Sequence, residues 1–146
     1  MGNSKKFIAM VVFALGAAIA RAELVVESGF VRASLPASNS TSAYMTLNNT
    51  GDADILISGV TTAAAGKVSF HGTMNHEGMM HMMEMENLKI AAHKSLVLES
   101  GGMHMMLENM TVALTAGSKV ELVLQFADGR NKTISLPVQS VLADNH

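Results

Sequence analysis

The chain has 146 residues, 10 Lys and Arg against 12 Asp and Glu, a formal charge of −2 and no cysteine. That length suits one domain. The absence of thiols excludes cysteine nucleophiles, zinc–thiolate sites, iron–sulfur clusters and copper centres built on a Cys ligand.

The first 22 residues read as a signal peptide. Lys5 and Lys6 form a positive start, residues 7–20 are apolar but too few to span a bilayer, and Ala20-Arg21-Ala22 has the small-x-small form of a cleavage site. Cleavage before Glu23 removes three cations and no acid, which takes the formal charge from −2 to −5. The exported domain, residues 23–146, is therefore acidic. It carries no basic patch for nucleic acid, and no stable membrane insertion is expected after cleavage.

The rest reads as all-β, as short β-branched runs separated by turn residues. Strands are expected at 24–32, 43–47, 55–61 and 67–71, with a loop at 35–40 and a tight turn at Asn48-Asn49-Thr50-Gly51-Asp52. A loop at 75–78 precedes strands at 79–85, 95–99 and 103–107, the last opened by Gly101-Gly102. Strands at 119–126 and 132–138 flank the hairpin signal Asp128-Gly129. Val120, Leu122, Leu124 and Phe126 alternate with other residues, which assigns them to the core. Residues 140–146 read as a frayed tail.

The compositional anomaly is local. Ten of the 13 Met lie between Met74 and Met110, and five of the six His between His71 and His104. Gap-filling core Met would be scattered. Thioether and imidazole together suit Cu(I), a soft ion that needs no charged ligand. In a strand, His104 and Met106 share a face; so do Met80 and Met82, with Met79, His81, Met83 and Met85 on the other. His71 ends the strand at 67–71. His76, His81 and His93 read as exposed groups or loose second contacts for a metal. The remaining Met of the segment divide between core packing and an apolar wall around an ion. Glu84 and Glu86 read as solvated.

His71, Met82, His104 and Met106 stand in the arrangement His-x10-Met-x21-His-x-Met. Phe30-Val31-Arg32-Ala33, Ala43-Tyr44-Met45-Thr46, Gly78-Met79-Met80-His81-Met82 and Gly101-Gly102-Met103-His104 accompany it. Together these resemble the PCu(A)C family of periplasmic copper chaperones. The resemblance implies a single-domain, cupredoxin-like β-sandwich in the periplasm, with one Cu(I) held by His71, Met82, His104 and Met106. It implies delivery to the Cu(A) domain of cytochrome c oxidase subunit II, with a Sco-type protein as a further partner. Gly72 stands where the family commonly has Glu or Met. The competing readings are a copper-sequestering protein and an exported structural β-domain whose Met are packing. No Gly-x-Ser-x-Gly or phosphate-binding loop occurs, and an enzyme is not expected.

Overall fold

The structure, a computed structural model, describes residues 23–140, and for residues 74–76 the backbone alone. The expected signal peptide and residues 141–146 of the expected tail lie outside the described residues. The described chain is all-β and holds ten strands: β1 (Leu24–Arg32), β2 (Ser40–Asn49), β3 (Ile55–Thr61), β4 (Ala65–His76), β5 (Met79–Met85), β6 (Leu88–Ile90), β7 (Ser95–Leu98), β8 (His104–Met110), β9 (Lys119–Phe126) and β10 (Asn131–Gln139).

The strands run in the order β5-β4-β8-β2-β1-β10-β9-β3-β6, with β7 against β2. A short parallel pairing of Val31 and Arg32 with Val138 and Gln139 joins the two layers. One layer carries β5, β4, β8, β2, β7 and β1; the other carries β10, β9, β3 and β6. The alternation that marked Val120, Leu122 and Leu124 as core holds, and they bury against Val31, Ala43, Met45, Leu47, Met105 and Leu107 from the first layer. Phe126 is half-buried at the rim of that core.

Two local features set the register that matters below. The β4–β5 hairpin is longer than the sequence suggests: β4 continues past His71 to His76, and only Glu77 and Gly78 form the loop. Both have positive φ, 54° and 81°, the pairing of a two-residue type I′ turn whose twist matches the strands it joins. A Glu at the first of these positions is an uncommon turn residue, so the sequence pointed to a longer loop. The second feature is an interruption. β7 and β8 run in the same direction along one edge of β2, against residues 45–48 and 40–43 respectively. Residues 99–103 loop out between them, and Met103 delivers the chain to His104 at the start of β8.

β6 escaped the sequence reading because three residues are too few to show a period, although Leu88 and Ile90 are buried. The Asp128-Gly129 hairpin formed as expected, with β9 and β10 antiparallel. Asp128 accepts hydrogen bonds from the Arg130 backbone N–H (2.9 Å) and Nε (2.8 Å). The backbone bond first, then the guanidinium, holds its carboxyl below the usual carboxylate range. A lowered folded-state pKa contributes stability above the unfolded value and loses it as pH falls through the folded value. We expect wild type to be the more stable at neutral pH and its advantage over Asp128→Asn to shrink as pH falls below the ordinary aspartate value of about 3.9, read from melting curves across that range.

Candidate metal centre

Cross-strand register places the predicted residues. β4 lies between β5 and β8, and β8 lies between β4 and β2. His71 pairs with His104 on one side and with Glu84 on the other. Met106 pairs with Ser69 on β4 and with Ser42 on β2. Met82 pairs with Thr73, one step along from Glu84. Partners across a ladder point to the same face. The alternate residues Phe70, Met105, Leu107 and Ala43 are buried in the core. His71, Met82, His104 and Met106 therefore all stand on the outer face of one sheet.

They are not equally close. The imidazoles of His71 and His104 stack, with ring centroids 5.9 Å apart and planes inclined by 24°. His71 is only 16% exposed, and His104 and Met106 are half-buried. Ser42 Oγ lies 3.3 Å from Met106 Sδ and donates to it. Met82 differs: it stands on the edge strand, 61% exposed. It is diagonal to His71, a separation of about 7–8 Å in a sheet.

The hydrogen bonds around the two rings fix their free nitrogens. His104 Nδ1 lies 3.0 Å from the Gly102 carbonyl. A carbonyl only accepts, so Nδ1 carries the proton and Nε2 keeps a lone pair. Ser69 Oγ donates to Glu108 Oε2 at 3.2 Å, which leaves it to accept from His71 Nε2 at 2.9 Å. That network assigns the proton to Nε2 and leaves Nδ1 with a lone pair. Each ring thus offers one unprotonated nitrogen, with the other nitrogen anchored to the protein, the arrangement that orients metal-binding imidazoles.

The sequence reading missed the charged groups beside the rings. Glu84, read as solvated, is bound by Lys67 Nζ at 2.9 Å and has an oxygen 3.8 Å from His71 Nε2. Lys67 also lies 3.9 Å from Glu108. The hydrogen bond from Lys67, then its charge, lowers the Glu84 pKa; the same bond raises that of Lys67. One atom each of His71, Glu84 and Glu108 falls within a 4.8 Å group, a set of harder donors. The single ammonium of Lys67 contacts both carboxylates and balances one of their two charges, while His71, His104 and Met106 supply the softer donors of the same face. Period-two spacing was the available signal: Lys67, Ser69 and His71 share one face of β4, as His104, Met106 and Glu108 share one of β8.

His93 and His81 lie elsewhere. His93 sits at a turn with φ of 60° and bonds to Asp52 at 2.9 Å. His81 is exposed on the opposite face of β5 from Met82.

Residues 24–138, nearly all of the described chain, match the family model "Putative lipoprotein LpqE-like". The chain belongs to this PCu(A)C family. Within it, the chain is 32% identical over 109 residues to "Putative lipoprotein Lxx21020" of Leifsonia xyli subsp. xyli, covering 74% of this chain and 66% of that one. A protein of Rickettsia prowazekii, RP573, is 25% identical over 96 residues, 65% of this chain and 53% of that one. The chain thus spans less than two thirds of the length of these curated relatives. Among solved structures, the solution structure of CuI-DR1885 from Deinococcus radiodurans is 32% identical with a TM-score of 0.67, over 88% of this chain and 85% of that one. The copper-bound PCuAC domain from PmoF2 gives 0.69 at 21% identity, over 84% and 99%. That second likeness is one of fold, and it agrees with the cupredoxin-like sandwich of the PCu(A)C family.

Proposed function

We propose that this protein is an exported copper chaperone that binds Cu(I) through His71, Met82, His104 and Met106. One observation carries the reading: two stacked imidazoles, each with one nitrogen anchored and the other left as a lone pair, beside the Met106 thioether. Neutral nitrogen and sulfur donors favour Cu(I) over harder ions. The family membership and the Cu(I) form of the Deinococcus relative support the choice of ion. Names of the relatives as lipoproteins support export, and we place the protein in the periplasm.

The recipient in this reading is the Cu(A) domain of cytochrome c oxidase subunit II, with a Sco-type protein as the second partner. The ligands are neutral and lie on the outer face of the sheet, with Met82 exposed, so incoming thiolates can replace them one at a time without unfolding the sandwich. The test is a two-part measurement. Anaerobic titration with Cu(I) against a competing chelator should show an equivalent that His104→Ala and Met106→Ala remove. The loaded protein should then pass that ion to an apo Cu(A) domain. Uptake in both variants equal to that of the wild type would overturn the ligand assignment. Failure of transfer would instead favour sequestration, the reading that the exposed Met79, Met80 and Met83 otherwise support.

Ser69 provides an independent check. Groups that orient metal-bound His typically change affinity 10–100-fold when removed. We expect Ser69→Ala to weaken Cu(I) binding by about tenfold in the same titration, with His71 free to rotate.

A further inference from the structure

The inner-facing side of the β5–β4–β8 ribbon carries sulfur that the copper site does not use. We infer that Met83, Met85 and Met103 form a second site for a soft monovalent cation, centred over Gly72 on the sheet face opposite His71.

Gly72 is the organising residue. On one side it pairs with Met83 of β5. On the other, the pairing of His71 with His104 brings Met103 alongside it. A Met–Gly–Met row therefore crosses three adjacent strands. The outer two are two strand spacings apart, about 9.5 Å, a gap that two long thioether arms and one ion can span. The middle position has no side chain to fill the gap. A carbon placed at its Cβ position lies 3.7 Å from Met85 Sδ and 3.8 Å from Met103 Cε, so these two side chains already lean over the glycine from separate strands. Met85 and Met103 are half-buried against the core, whereas Met83 is 44% exposed and provides the open side. His81, two residues before Met83, shares its face of β5 and is exposed.

Three neutral thioethers on an apolar floor make a soft site. Nothing in that set titrates, and no charged side chain is among its members. This chemistry selects Cu(I) or its analogue Ag(I) against zinc, magnesium or calcium. The site shares no ligand with the His71–His104 cluster, and it rests on the proposed function only for the choice of Cu(I) as the natural ion.

The experiment is an anaerobic Cu(I) titration with ¹³C-methyl-labelled methionine, followed by NMR. Three proteins are compared: wild type; the triple variant Met83→Leu, Met85→Leu, Met103→Leu; and the double variant His104→Ala, Met106→Leu. Met to Leu nearly conserves volume and keeps the packing. Wild type should take up two equivalents and each variant one, with the Met83, Met85 and Met103 methyl signals moving in the double variant. A single wild-type equivalent retained by the triple variant overturns this second site and leaves the first standing. A single equivalent lost in the triple variant but kept in the double variant upholds it and overturns the first. Gly72→Leu, which fills the gap while keeping every thioether, should also abolish the second equivalent. Retention of both equivalents in Gly72→Leu and in the triple variant overturns the proposal.

Discussion

Replacing His104 with alanine should weaken Cu(I) binding at the outer-face site by about a hundredfold or more, ~2.8 kcal/mol. The size follows from what the ring contributes. His104 Nδ1 is tied to the Gly102 carbonyl at 3.0 Å, so Nε2 is held ready and little rotamer freedom is lost on binding. His71 faces it at 5.9 Å between ring centroids, and without His104 the ion keeps one nitrogen and the two thioethers. Competition against a chelator of known Cu(I) affinity reads the change directly. The same loss should appear in melting. Copper at about a thousand times the dissociation constant of the outer-face site stabilises the folded state by ~4 kcal/mol through that site, and this share should shrink to below ~2 kcal/mol in His104→Ala at the same free copper. His93→Ala is the control: His93 bonds to Asp52 at a turn, and its removal should leave affinity unchanged. Equal affinities of wild type and His104→Ala would sink the assignment.

Asn49→Ala should cost about 3 kcal/mol of folding stability. Asn49 is completely buried yet fully engaged. Its side-chain Nδ2 donates to the Ala53 carbonyl (2.8 Å) and the Ile90 carbonyl (3.1 Å), and Oδ1 accepts from Gly51 N–H (3.0 Å). One side chain therefore closes the turn after β2 and ties it to β6 in the other layer. Alanine removes these bonds and leaves polar backbone groups buried without partners, the costly half of a hydrogen-bond deletion. Equilibrium unfolding in urea measures it; a loss under about 1 kcal/mol would show that water replaces the amide.

The same Asn49 shows where sequence reading succeeds and where it stops. The Asn48-Asn49-Thr50-Gly51-Asp52 run announced a turn because those residue types favour one. Nothing in the run said that Asn49 points inward and bonds to Ile90, which lies on a strand too short to have been recognised. The fold itself was legible because alternation in stretches such as Val120 to Phe126 survives intact in the sandwich. The spacing of His71, Met82, His104 and Met106 picked out four residues that stand on one sheet face, and strand periodicity put His104 with Met106. The roles of Ser69, Glu84, Glu108 and Lys67 were hidden, because they depend on which strands are neighbours and in what register. That register comes partly from the Glu77-Gly78 turn, whose left-handed glutamate the sequence does not advertise. Gly72 was visible only as a departure from the family pattern; its meaning lies in the Met side chains that lean over it from both flanks.

The position of β5 has a kinetic consequence. It is the outermost strand, hydrogen-bonded to β4 alone, while β8 is held between β4 and β2. On the copper reading, one ligand rides on a strand that can peel away by breaking a single ladder, and two ride on a strand clamped from both sides. Local opening starts where the fewest bonds must break. Met82 is then the first donor to let go and the imidazoles the last, so an arriving partner meets an ion with one vacant direction, always on the same side.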